Sequence, residues 1–252
     1  NGIDFVNYNV NDSLPLAIYT SIQESSDGKI WAIGFKDKIR TLVYLENGRF
    51  YNASKLYPEL STNNRVISVL SDPSGKILIS TRNALYEINN GELSKSHLNN
   101  ELQFKNHIII PSFFDSEQEC WYRNYKIGYG FSIFKTKNNV LTKLDLPNSI
   151  NPDNITNISI DSKNQLWICI RDVGLAVVSK DKTTIIDQKR GLISPYINNV
   201  LEDTEGNIWL TSSGNGLIKY GSNKFLSLNF SNTIGGNIVL ATTQDSDGYY
   251  WF

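Results

Sequence analysis

Six times along this chain a short polar turn leads into an apolar strand opened by a large hydrophobic side chain. The segments are SSDGKIW (25–31), DPSGKIL (72–78), DSEQECW (115–121), DSKNQLW (161–167), DTEGNIW (203–209) and DSDGYYW (245–251). Their anchors, Trp31, Leu78, Trp121, Trp167, Trp209 and Trp251, are separated by 47, 43, 46, 42 and 42 residues, a mean period of 44. A period of this length means that one supersecondary unit is repeated and buries its apolar surface against its neighbours. Leucine-rich and helical solenoids have other periods and patterns and are disfavoured.

Each position in the repeat has a physical reason. Asp72, Asp115, Asp161, Asp203 and Asp245 stand six residues before their anchors, where a carboxylate can accept bonds from the backbone of the turn it opens. Gly28, Gly75, Gly206 and Gly248 stand three residues before theirs, where the turn closes through a residue with positive φ. Asn164 tolerates that backbone and Gln118 does so less easily, while Ser25 takes the Asp position in the first unit. The acid, the glycine and the tryptophan are therefore expected to be structural.

The flanks read as strands, with no helical period. INNVLED and NRVISVLSD precede the turn, NIWLTSS and KILISTR follow it, and second turns such as GNG (214–216) or DVG (172–174) lead into LIKYG or LAVVSK. A fourth strand, FLSLNF or TTIIDQ, completes the unit. Four short antiparallel strands per unit make the blade of an all-β propeller, with about six units over residues 1–252 as one domain. In that fold the anchor tryptophans pack between adjacent blades, so five Trp in one register need no cofactor. The chain ends one residue past an anchor, so the sixth unit is expected to be incomplete and the chain to be a piece of a longer protein.

A net charge of -1 gives no global field toward nucleic acid or an anionic membrane. No apolar run reaches the roughly 20 residues of a membrane span. The two histidines, His97 and His107, lie in no metal-ligand spacing, and no nucleophile-elbow or phosphate-loop pattern occurs. Neither a metal nor a cofactor is expected.

The stretch GLISPYINNVLEDTEGNIWLTSSGNGLIKY (191–220) closely resembles the two-component regulator propeller repeat. YTSIQESSDGKIWAIG and ISIDSKNQLWICIRDVGLAVV are looser copies, and FFDSEQECWYRNYKIGYGFSIF is the poorest. The resemblance implies the periplasmic sensor region of a hybrid two-component histidine kinase of the kind common in gut Bacteroidetes. It implies propellers of about seven blades, a second propeller, a β-sandwich, a membrane helix and cytoplasmic kinase and DNA-binding parts. It also implies an oligosaccharide ligand, possession of a signalling homodimer being open, with no direct nucleic-acid contact by this region.

Two other classes remain beside the sensor. One is a scaffold that only binds protein. The other is a sialidase-like glycosidase, whose Asp-box also sets Asp, Gly and Trp on a blade turn, but there Asp precedes Gly by two whereas Asp203 precedes Gly206 by three. Asp203 and Glu205 could pair for acid and base work, yet a catalytic pair is needed once and this turn recurs six times. Cys120 and Cys169 have opposite parity relative to their anchors and could meet at one interface between blades. An offset of roughly 10 Å along the strands still forbids a disulfide, so buried free thiols are expected.

A ligand is expected on the face opposite the repeated turns, where the segment before each inner strand meets the turn after each anchor strand. Tyr19, Arg65 and Tyr196 lie at the first level, and Arg82, Arg123, Tyr125 and Arg171 at the second. Aromatic planes stack on sugar C–H faces, and guanidinium forks donate to hydroxyls and carboxylates.

Overall fold

The computed structural model describes residues 8, 11, 13–15, 18–36, 39–60, 65–100, 107–126, 130–137, 140–180, 182–221, 224–228 and 238–252. These form five four-stranded antiparallel sheets and one two-stranded sheet. Blade 1 holds β1 (Ile18–Glu24), β2 (Ile30–Lys36), β3 (Ile39–Glu46) and β4 (Arg49–Asn52), and blade 2 holds β5 (Val66–Ser71), β6 (Ile77–Thr81), β7 (Leu85–Asn89) and β8 (Glu92–Lys95). Blade 3 follows with β9 (His107–Phe114), β10 (Cys120–Lys126), β11 (Gly130–Lys137) and β12 (Val140–Lys143). Blade 4 comprises β13 (Ile155–Ile160), β14 (Leu166–Ile170), β15 (Gly174–Val178) and β16 (Thr183–Ile186). Blade 5 comprises β17 (Ile197–Glu202), β18 (Ile208–Ser212), β19 (Gly216–Gly221) and β20 (Lys224–Leu228), and the sixth sheet pairs β21 (Thr243–Gln244) with β22 (Tyr250–Trp251). The expected all-β propeller of four-stranded blades is what the chain forms.

Within each blade, strands adjacent in sequence are adjacent in space, because the connecting turns are too short for anything but a meander. Burial grades across the blade. Every residue of β6 (ILIST) and β14 (LWICI) is buried, since a second strand is covered on both faces by neighbouring blades. The outer strands β8 (ELSK) and β12 (VLTK) are mostly exposed and correspondingly polar. One helical turn, Ala53–Leu56, was not legible as a helix; Asn52 caps it by accepting from the Ser54 N–H, and Pro58 disfavours helix at Tyr57.

The core lies between blades. Trp31, Ile33 and Leu42 of blade 1 pack with Val66, Val69, Ile77 and Ile79 of blade 2. Leu78 meets Ile109, Cys120 and Tyr122 of blade 3, and Trp167 meets Ile197, Val200, Ile208 and Leu210 of blade 5. An anchor and the residues two apart from it thus face the following blade, while their neighbours face the preceding one. Cys120 and Cys169 are both free and buried, but this parity sends them to different interfaces. Cys120 faces blade 2 and Cys169 faces blade 5, so they do not share the interface their opposite parity suggested. Burial pushes both thiols up to about 12.

The inner strands β1, β5, β9, β13 and β17 touch in succession, and β21 lies against β1. One contact recurs around this ring. The residue after the turn Asp donates to the residue before the turn position of the next blade. Ser162 donates through its N–H and Oγ to the Glu202 carboxylate, and the Thr204 N–H donates to Gln244 Oε1 at 2.9 Å. Ser246 donates through N–H and Oγ to Glu24, both at 2.9 Å, which joins the sixth sheet to the first.

Candidate ligand-binding face and central channel

The turn face is saturated by its own bonds. In blade 5 the Asp203 carboxylate accepts from the N–H groups of Glu205 (3.0 Å) and Asn207 (2.7 Å), from Trp209 Nε1 (2.7 Å) and from the Tyr250 hydroxyl of the next blade (2.8 Å). Burial alone would raise this carboxyl, but the bonds from Trp209, Asn207 and Tyr250 outweigh it and hold it down at about 2. The same indole bond joins Trp121 to Asp115 (2.8 Å), Trp167 to Asp161 (2.9 Å) and Trp251 to Asp245 (2.7 Å). In the first unit Ser25 Oγ takes that place for Trp31 at 3.1 Å.

Sequence reasoning assigned the Asp only to the turn backbone and missed its bond to the tryptophan. The constant six-residue spacing was the available signal. The turn glycines have the expected positive φ, and Gln118 (φ 60) and Asn164 (φ 57) adopt it too.

On the opposite face, main-chain bonds join the two levels the sequence pointed to. The Arg82 N–H donates to Arg65 O (3.1 Å), the Arg171 N–H to Asn154 O (2.8 Å) and the Ser213 N–H to Tyr196 O (3.1 Å). Arg65, Arg82, Arg171 and Tyr196 are exposed, Tyr196 at 49%. They belong to blades 2, 4 and 5 and are therefore spread around a ring rather than gathered in one pocket. Arg65 lies over the Phe35 ring of blade 1, 5.7 Å from its centroid, a cation–π contact that ties this rim to its neighbour.

The other three candidates point elsewhere. Tyr19 donates its hydroxyl to Pro15 O (2.8 Å) and packs with Ala32, Val43 and Phe50; burial pushes its phenol up to about 12. Tyr125 is half-buried against Phe131, with centroids 4.9 Å apart. Arg123 runs inward. Its Nε donates to Ser112 Oγ at 3.2 Å and its Nη1 to Thr156 O of blade 4. Burial lowers it to about 10.

Arg123 belongs to a ring of ties that sequence reasoning did not find. In β1, β5, β13 and β17 the pairing skips one residue, Thr20, Ile67, Thr156 and Asn198, each five before its turn position. In β9 it skips Ser112. Such a bulge leaves backbone groups unpaired, and the preceding blade supplies donors to carbonyls in this region. Arg40 Nη1 donates to Val66 O (3.4 Å) and Ile67 O (3.3 Å), and Ser80 Oγ to Ile109 O. Asn157 Nδ2 donates to Asn198 O (3.0 Å), and Asn198 Nδ2 to Val239 O (2.8 Å). The legible trace was a polar residue four before the turn position in four inner strands: Ser21, Ser68, Asn157 and Asn199.

These strands enclose a central channel of about 620 Å³, with walls from all six sheets. Of the seven candidate ligand residues only Arg123 lines it. Among the described residues no group of three or more His, Cys, Asp or Glu side chains could hold a metal. His107 Nδ1 instead sits 2.9 Å from Asn124 Oδ1.

Blades, turn and anchor define a β-propeller built from one repeated four-stranded unit. Residues 191–214 match the family model described as the two-component regulator propeller, and the chain carries that repeat. In structure it is similar to the extracellular domain of a hybrid two-component system from B. thetaiotaomicron, at 21% identity over 96% of this chain and 38% of that one, with a TM-score of 0.63. The chain thus spans well under half of that domain. Virginiamycin B lyase from Staphylococcus aureus is similar at 14% identity over 93% of this chain and 76% of the lyase (TM-score 0.62). A luciferin-regenerating enzyme is similar at 12% identity over 92% and 82% of the two chains (TM-score 0.68). At these identities the likeness is one of fold. No curated protein matches the sequence.

Proposed function

We propose that this propeller is a non-catalytic, ligand-sensing module in the extracytoplasmic, periplasmic part of a hybrid two-component sensor histidine kinase, and that its ligand is an oligosaccharide. The regulator-propeller repeat and the likeness to an extracellular sensor domain support the class. The observation that carries the binding reading is the difference between the two faces. On the turn face the repeated carboxylates are consumed by backbone and indole bonds. On the opposite face Arg65, Arg82, Arg171 and Tyr196 are exposed at positions that the repeat does not constrain.

In this reading the bound state passes to a second propeller, a β-sandwich and a kinase in the same protein, with a homodimer as the signalling unit. A glycan array followed by calorimetry on the folded chain tests it. Binding to at least one oligosaccharide, weakened at least tenfold by a combined Arg171→Ala and Tyr196→Ala change, is the expected result. A folded propeller that binds no glycan, or one whose binding ignores both substitutions, would overturn it.

A further inference from the structure

The ties between blades differ in one respect that their structural task does not explain. Ser80, Asn157 and Asn198 each satisfy a carbonyl of the following blade with a neutral donor. Blade 3 performs the same task with a guanidinium, although Thr156 O requires no positive charge. Arg40 also uses a guanidinium, but it is not part of the channel wall, whereas Arg123 is.

Among the described residues no carboxylate pairs with Arg123. The acids of the channel wall, Glu24 and Asp72, stand at its turn end. Arg123 stands two residues after its anchor, while Glu24 pairs with Ile30, one before its anchor, so three residues, about 10 Å of strand, separate the two levels. Glu24 is moreover engaged by Ser246, and Asp72 by the N–H groups of Ser74 and Lys76.

Arg123 is half-buried in the channel wall, and desolvation there lowers the guanidinium's affinity for its proton. Arg123 nevertheless has five N–H donors in a fork suited to an oxyanion, and protein acceptors take its Nε and Nη1. Two hydroxyls of the same wall, Ser68 Oγ and Thr242 Oγ1, are buried and have no protein partner.

We infer that the central channel is an anion site in which Arg123 holds a small oxyanion group, a carboxylate or a sulfate, between blades 3 and 4. The inference stands apart from the sugar-sensing proposal, because a free inorganic ion would satisfy it.

The test uses the whole chain. Crystals soaked in bromide and measured at the bromine edge are expected to show an anomalous peak within hydrogen-bonding distance of the Arg123 guanidinium. In parallel, thermal unfolding is followed against sulfate and against glucuronate, at ionic strength held constant with chloride. Saturable stabilisation by sulfate identifies a free ion, and saturation by glucuronate alone identifies a sugar-borne carboxylate. Arg123→Gln keeps an amide able to donate to Thr156 O, as Asn157 does to Asn198 O, and is expected to weaken the saturable binding at least tenfold. Should that variant fail to fold, the bromide map of the unmodified protein decides. No bromide at Arg123, or no saturable effect of either anion, overturns the inference. Because neither readout depends on glycan binding, its failure is separable from failure of the sensor proposal.

Discussion

Replacing Asp203 with Asn removes one charge and leaves the shape of the turn. The new side chain can still accept from the Glu205 and Asn207 N–H groups through its oxygen, but its NH2 now faces Trp209 Nε1, which had donated to the carboxylate at 2.7 Å. A lost charge-assisted bond and a stranded donor together cost about 2 to 3 kcal/mol. Linkage gives an independent figure. A carboxyl held at about 2 against its ordinary 3.8 contributes about 2 kcal/mol. Because the folded value is depressed, this contribution is complete above pH ~4 and disappears as pH falls through about 2. Urea unfolding of the unmodified protein and of Asp203→Asn, from pH 7 downward, is expected to show a gap of about 2 kcal/mol that shrinks below pH 4. Asp153→Asn, at an exposed site, controls for net charge and is expected to stay within about 0.5 kcal/mol. An Asp203→Asn variant as stable as that control, or a gap unchanged down to pH 2.5, would refute the reasoning.

Other substitutions probe other links. Gly174→Ala sets a Cβ 2.4 Å from Leu192 Cδ2 and 2.6 Å from Ile186 O at φ +124, whereas Gly206→Ala at φ +81 meets nothing nearer than Glu202 Oε1 at 3.9 Å. The first is expected to cost at least about 3 kcal/mol and the second about 1 kcal/mol, and equal losses by denaturation would count against the packing described. Trp167→Ala, at a site 4% exposed between blades 4 and 5, is expected to cost about 3 to 5 kcal/mol, read by the same assay. Both thiols are buried and unpaired, so a thiol reagent is expected to label neither in the native protein and both in denaturant; rapid native labelling would show that the interfaces open.

Much of the fold is legible because its determinants are local. Asp203, Gly206 and Trp209 lie within seven residues, and their bonds close inside that span, so the repeat exposes the turn, the strand that follows and the blade. Even here one partner was hidden. Reading the Asp as a turn device explains Oδ1 and leaves Oδ2 unaccounted for, although the indole at constant spacing takes it in four blades. Arg65, Arg82, Arg171 and Tyr196 lie at levels joined by main-chain bonds, and the register of those levels along a hairpin follows from counting. Arg123 stands two residues after its anchor, as Ser80 does, whereas Arg82 and Arg171 stand four after theirs, and both nearer side chains reach a carbonyl of the following blade.

The sequence by itself determined the unit: where the chain turns, where its strands run, and that units of about 44 residues must cover one another. Tertiary structure alone decided which carbonyl each inter-blade donor meets, that the cysteines occupy separate interfaces, and that one guanidinium opens on a channel walled by six sheets. The physical reason is range. Turns and hairpins are set by groups a few residues apart, whereas the ties between successive blades join residues 26 to 41 apart, and Glu24 and Ser246 are 222 apart. No periodicity encodes such contacts; the packing of one whole blade against the next does.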